Sequence, residues 1–161
     1  MADRTPHDHH LCVDKAIQTA ERLCLQRGAR LTPVRRKVLE LIWESHRAVK
    51  AYDLLERIRP FDFAAKPATV YRALDFLMEN GLIHRVESLN AFVGCNCSET
   101  RHDQLLLICS GCHEVEERPA VAVMASLARE VGAAGFTIRR KTIEVHGLCR
   151  QCAALPEPGA G

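Results

Sequence analysis

At 161 residues and 18.0 kDa, with 47% apolar residues, the chain can build one or two small cores, and it has no apolar run long enough to span a bilayer. Its formal net charge of +2 excludes a uniformly basic or acidic protein, yet residues 30–72 hold 10 Lys/Arg against 5 Asp/Glu, while residues 95–161 hold 7 against 8. A polyanionic partner would therefore meet the first part of the molecule, although a solvated helix face is the plainer reading of such a run.

The opening Met1-Ala2-Asp3-Arg4-Thr5-Pro6-His7-Asp8-His9-His10 carries charges where a secretory signal needs an apolar stretch, so a cytoplasmic, membrane-free protein is expected, with residues 1–10 disordered. Val13, Ile17, Ala20 and Cys24 fall on one face of a first helix that stops near Gly28. Thr32-Pro33 supplies an N-cap and a favoured first helical residue, and Val34, Val38, Leu41 and Ile42 continue a second helix. A third runs from Ala51, with Leu54, Leu55 and Ile58 inward and Pro60 ending it. A fourth opens at Lys66-Pro67-Ala68-Thr69, buries Val70, Leu74, Leu77 and Met78, and ends at Asn80-Gly81.

Beyond Gly81 the period shortens. Leu82 to Val86 and Ala91 to Val93 read as strands of a hairpin around Glu87-Ser88-Leu89-Asn90. Helices followed by a two-stranded hairpin give the order of a winged helix-turn-helix, whose last helix enters the DNA major groove and would offer Thr69, Tyr71 and Arg72 near its N-terminus. An ordinary helical domain with a surface Arg is the alternative from pattern alone. The cysteine usage shifts near residue 94, and a second small domain is expected beyond it. Gln104 to Cys109 reads as a buried strand, Pro119 as the opening of a helix with Val121, Met124, Leu127, Ala128 and Val131 inward, and Phe136 to Ile138 and Thr142 to Val145 as strands around Arg139-Arg140-Lys141. The tail from Ala153 reads as disordered. So small a core needs a metal or a partner chain.

Eight cysteines in a reducing compartment point to metal ligands or reactive thiols before disulfides. Cys109-Ser110-Gly111-Cys112 and Cys149-Arg150-Gln151-Cys152 are two C-x2-C pairs, able together to complete the tetrahedral four-sulfur shell of a structural zinc. A thioredoxin-like redox pair is disfavoured, because neither pair opens the helix of a βαβ unit. A second cluster, His84, Cys95, Cys97, His102 and Glu117, brackets the domain boundary and offers mixed S, N and O donors suited to zinc; singly, each has an ordinary surface or core reading.

With these motifs in hand, the sequence resembles the ferric uptake regulator family, in its zinc uptake regulator branch. The stretches that carry the resemblance include Leu31-Thr32-Pro33, Ala51-Tyr52-Asp53-Leu54-Leu55, Lys66-Pro67-Ala68-Thr69-Val70-Tyr71-Arg72-Ala73-Leu74, Gly81-Leu82-Ile83-His84-Arg85-Val86-Glu87-Ser88 and Ile143-Glu144-Val145-His146-Gly147-Leu148-Cys149. The resemblance implies an α+β protein: a winged helix-turn-helix DNA-binding domain over 11–94, a hinge over 95–102, a small C-terminal α/β dimerisation domain with a four-cysteine zinc site over 103–152, and a tail over 153–161. It implies a zinc-responsive transcriptional repressor of zinc uptake and homeostasis genes, not an enzyme, acting as a homodimer on palindromic double-stranded operators with two Zn2+ per chain.

Carried over, the structural site falls on Cys109, Cys112, Cys149 and Cys152 and the regulatory site on His84, Cys95, His102 and Glu117. The DNA readers fall on Tyr52 and Arg72. Glu56 and Arg59 match positions that pair across neighbouring dimers, which implies two dimers per operator; an exposed helix pair of little energetic weight is the alternative. Only His102 stands where iron-sensing relatives carry a run of histidines, and Arg139-Arg140-Lys141 replaces a further His of those relatives. A repressor sensing iron and a thiol redox protein are the remaining alternatives, and Cys12, Cys24 and Cys97 have no assigned metal role.

Overall fold

The computed structural model describes residues 9–96, 104–139 and 141–155, and divides the chain into two compact units, 1–99 and 100–161. Among the described residues no helix is long and apolar enough to cross a membrane.

The first unit opens with α1 (His9–Gln26), which starts inside the segment expected to be disordered. Ile17, Ala20 and Cys24 are buried and Val13 is packed against the same core, so the apolar stripe read from the sequence is the face that packs. Helix α2 (Pro33–Trp43) begins where Thr32 accepts a hydrogen bond from Arg35 N at 3.5 Å, with Pro33 in the first turn. It buries Val38, Leu39, Leu41 and Ile42. Helix α3 (Ala51–Ile58) buries Leu54, Leu55 and Ile58, and α4 (Pro67–Glu79) buries Val70, Ala73, Leu74, Phe76 and Leu77. Helix α2 packs on α1, α3 and α4, and each large aliphatic side chain closed into this core stabilises the fold by about 1.5–3 kcal/mol.

Gly81, at φ +67°, turns the chain out of α4 into the antiparallel hairpin of β1 (Ile83–Val86) and β2 (Ala91–Gly94), in register Ile83 with Gly94 and Val86 with Ala91. A short 3-10 turn over Glu87–Leu89 links the strands, and Asn90 takes the left-handed conformation at φ 46°. A further backbone pairing at this hairpin has no signal in the sequence. Val49, ahead of α3, exchanges both backbone hydrogen bonds with Phe92 at 2.8 Å and so ties the wing to the helices.

The second unit is a three-stranded sheet in the order β4-β3-β5, with β3 (Gln104–Cys109) central, β4 (Val115–Pro119) antiparallel to it and β5 (Ile143–Gly147) parallel. Helix α5 (Val121–Ala133) makes the crossover and α6 (Arg150–Ala153) closes the described chain. Two expectations are corrected. Pro119 ends strand β4 and does not open a helix; its missing N–H is tolerable because β4 is an edge strand. Phe136 to Ile138 form no strand: Gly135, at φ +70°, ends the helix, and the segment after it joins neither outer edge of the β4-β3-β5 sheet. Of the residues expected to face inward from α5, only Met124 is buried, and Val121 is 77% exposed.

Candidate metal centre and nucleic-acid interface

Strands β3 and β5 run parallel with Cys109 opposite Gly147, so both carboxyl ends emerge on the same side of the sheet. That pairing brings together two C-x2-C turns separated by 37 residues. After β3 the chain folds back at once: His113 N donates to Cys109 O and Cys109 N to Glu114 O, each at 2.9 Å. His113 lies at φ 61°, a left-handed conformation that His adopts more readily than most residues. After β5, Ser110 N donates to Gly147 O at 2.7 Å, and Cys149 is the N-cap of α6, so the second C-x2-C pair, contrary to expectation, does open a short helix. The Sγ atoms of Cys109, Cys112, Cys149 and Cys152 all lie within 4.8 Å of one another. Gly111 makes room for the fourth, since a Cβ there would sit 2.9 Å from Cys152 Sγ.

The separation of Cys112 Sγ from Cys149 Sγ is 3.8 Å, far beyond a disulfide of about 2.05 Å. It matches the edge of a tetrahedron with metal–sulfur bonds of about 2.3 Å, which is about 3.8 Å. The donor set therefore fits a closed tetrahedral zinc site. The local field is uneven in a way a metal would level. Backbone N–H groups of Cys112 and Cys149, the latter at 3.2 Å, hold the Cys109 thiol down to about 5. The Cys152 N–H also draws Cys149 down. Burial and the neighbouring thiols push Cys112 up, and hydrogen bonds to Cys149 and Cys109 push Cys152 up to about 12. Four clustered thiols cannot all ionise without a cation, and a divalent ion supplies the missing charge.

In the first unit the wing places a second pair of donors. His84 faces Val93 across the hairpin, and Cys95 follows β2 with its N–H on Leu82 O at 3.0 Å. The two residues are thus diagonal neighbours on one face, and their ligand atoms lie within 4.8 Å. Cys95 and the His84 Nε2 are both buried. In the second unit Glu117 stands on β4, paired with Leu106 and half-buried. His102 and Cys97 lie outside the described residues, while Cys24 is buried and Cys12 half-buried.

The sequence model of the ferric uptake regulator family matches residues 26–153. The chain belongs to this family. The zinc uptake regulation protein of Escherichia coli (strain K12) is 44% identical over 140 residues, covering 86% of this chain and 82% of that protein. A solved zinc uptake regulator complexed with zinc and DNA superposes with a TM-score of 0.84 at 42% identity, covering 88% of this chain and 95% of that one. Holo XcZur gives 0.81 at 45% identity, covering 88% and 99%.

In this ferric uptake regulator family member the helix before the wing presents a polar outer face. Tyr71 is 54% exposed and Arg72 is exposed, on the side of α4 away from Val70, Leu74 and Leu77. Tyr52, at the start of α3, is 68% exposed. Thr69, expected to offer its hydroxyl to DNA, accepts from Lys66 N at 3.3 Å through its Oγ1 and caps the helix. Glu56 and Arg59 are exposed on and just beyond α3, and the ion pair made there is instead Arg57 with Glu44. Three features escaped the sequence reading: strand β4, the Val49–Phe92 bridge and the Gly111 clearance. Only β4 had any trace in the sequence, the single apolar Val115 ahead of Glu116 and Glu117, too short to announce a strand.

Proposed function

We propose that this chain is a zinc-responsive transcriptional repressor of zinc uptake and homeostasis genes, active in the cytoplasm as a zinc-loaded homodimer on palindromic operators, and not an enzyme. The observation that carries the proposal is the pairing of a four-thiol cluster with an exposed Arg72 on the helix before a wing, in a chain 42% identical to a zinc uptake regulator solved with zinc and DNA. Zinc, when bound, supplies a divalent charge that holds thiolate and imidazole ligands in fixed geometry.

Two Zn2+ per chain are assigned. Cys109, Cys112, Cys149 and Cys152 hold the structural ion, closing the ends of β3 and β5 over a sheet whose own core is small. His84, Cys95, His102 and Glu117 hold the regulatory ion. Its occupancy restricts the chain over 95–102 and selects the arrangement in which both recognition helices of a dimer reach successive major grooves. Tyr52 and Arg72 are the DNA readers, the Thr69 and Tyr71 hydroxyls bond phosphate, and Glu56 with Arg59 joins two dimers on one operator. Zinc and operator affinities are then linked, each tightening the other by the same factor.

Gel-shift titration of a candidate palindrome against buffered free zinc tests the reading, with elemental analysis of the bound protein to distinguish zinc from iron. Cys95→Ser is expected to remain a folded dimer with one zinc per chain and to lose zinc-dependent binding. Operator binding by that variant with unchanged zinc dependence would remove Cys95 from the sensor.

A further inference from the structure

The turn between α3 and α4 carries the most exposed large apolar side chain among the described residues: Phe63 is 96% exposed, and Phe61, two positions earlier, is 51% exposed. Such surface aromatics are informative when they are held in place. Here the turn is fixed by its own hydrogen bonds. Phe61 N and Asp62 N donate to Ile58 O at 2.9 and 2.8 Å, Ala65 N donates to Asp62 O at 3.0 Å, and Ala64 N donates to Asp62 Oδ1 at 3.1 Å. The Ala65 side chain is buried, which pins the far end of the turn. Phe63 therefore sits at the apex of an ordered loop, four residues ahead of Pro67 at the start of α4.

Arg59, Lys66 and Arg72 flank this apex in sequence; all three are exposed, and none makes an ion pair among the described residues. A rigid apolar tip in a segment, residues 59–72, where three exposed cations stand against the one carboxylate of Asp62 calls for a polyanion that also displays an apolar group at the depth a side chain reaches. The major groove of duplex DNA does so, through the C5-methyl of thymine, which Phe can contact. We propose that Phe63 makes an apolar contact to a thymine methyl beside the bases read by Arg72, adding sequence preference through a turn that precedes the recognition helix. The inference rests on the DNA-binding reading above.

The test uses a duplex enriched from a random-sequence pool by the zinc-loaded full-length chain, with affinity measured by fluorescence anisotropy for wild type, Phe63→Ala and Phe63→Leu. Phe63→Ala is expected to bind about tenfold more weakly, Phe63→Leu to recover most of the loss, and the salt slope to stay the same, because no phosphate contact is removed. Replacing single thymines of the duplex by deoxyuridine, which lacks the methyl, should weaken wild type at one position per half-site and leave Phe63→Ala unaffected there. Equal affinity of wild type and Phe63→Ala for the enriched duplex would overturn the proposal while leaving the repressor reading intact, as would deoxyuridine weakening both proteins alike. If Phe63→Ala binds a short one-dimer duplex normally and loses only the second dimer on a longer one, the aromatic is a contact between copies of this chain and the proposal fails. Enrichment of no zinc-dependent duplex by wild type would overturn both readings together.

Discussion

Trp43, the last residue of α2, lies against the backbone of Gly94 so closely that a Cβ there would stand 2.6 Å from the indole Nε1 and 2.7 Å from Cζ2. The contact joins a helix of the core to the final residue of β2, immediately before Cys95. A methyl group at Gly94 must displace the ring, and overpacking of this kind costs about 1–3 kcal/mol. Gly94→Ala is expected to lower the unfolding midpoint of the first unit. Trp43 is the one tryptophan of the sequence, so its fluorescence reports the displacement directly as an altered emission maximum. An unchanged spectrum and midpoint would show that the ring is not held there.

Loss of one thiolate should separate the two units thermally. The described buried residues of the second unit are Leu106, Ile108, Cys109, Val115, Ala120 and Met124, whereas the first has a core shared by four helices and the hairpin. Structural zinc sites contribute on the order of 10–16 kcal/mol of apparent binding free energy, more than so small a core supplies. Cys152→Ser, or strong chelation of the wild type, is expected to melt the sheet of residues 104–147 while the helical circular dichroism of the first unit survives to higher temperature. A single cooperative transition unchanged by either treatment would refute the role of the cluster as a staple.

Protonation of the cluster gives a pH signature. Cys109, held down to about 5, is already a thiolate at neutral pH, whereas Cys152 is pushed up to about 12. Zinc uptake at pH 7 is therefore expected to release fewer than four protons per cluster, and the number should rise as pH falls through about 5. In the metal-free chain the unfolded state keeps the Cys109 proton up to the ordinary value of 9.0, so it binds more protons than the folded state between about 5 and 9.0. Stability from this group rises with pH across that window and is lost as pH drops through about 5. Cys152 acts with the opposite sign between 9.0 and about 12, where only the unfolded state has lost its proton. Dye-based proton counting during zinc titration checks the first statement, and urea unfolding of the metal-free chain at several pH values checks the second.

Arg72 and Thr69 stand one turn apart on α4, yet their substitution should read differently. Arg72→Ala is expected to cost about 1–3 kcal/mol on the preferred operator and to relax specificity at one base pair, without altering the fold. Thr69→Ala removes the acceptor for Lys66 N and should lower stability by about 0.5–2 kcal/mol, with affinity for operator and for random duplex reduced together. Competition gel shifts alongside thermal melts separate the two outcomes. Equal loss on specific and random DNA for Arg72→Ala would make it a phosphate contact.

The first unit was legible because its signals are local. The stripe Ile17, Ala20, Cys24, the Thr32-Pro33 start and the Asn80-Gly81 stop each lie within a turn or two of the structure they dictate. The second unit was legible only in part. Val115 to Pro119 alternates too briefly, and carries too many charges, to announce a strand; its pairing with β3 decides it. Phe136 to Ile138 has the composition of a strand but joins neither outer edge of the sheet, and nothing in its composition foretells that. The cysteine spacing did reveal the cluster, because ligand chemistry survives in sequence even when separated by 37 residues. Clearances such as Gly111 against Cys152 and Gly94 against Trp43 could not be read, since each depends on what a distant segment brings to the glycine.

The parallel pairing of β3 with β5 also sets a schedule for the nascent chain. Cys109 and Cys112 leave the ribosome first, and their two partners follow only after β4, α5 and β5 have been made. At translation rates of about 5–20 residues per second, the 37 residues from Cys112 to Cys149 take roughly 2–7 s. During that interval the first C-x2-C turn offers only two of the four thiols of the cluster. Completion of the shell thus waits on Cys152: a chain that stalls before Ile143 lacks both the strand that completes the sheet and two of the four thiols.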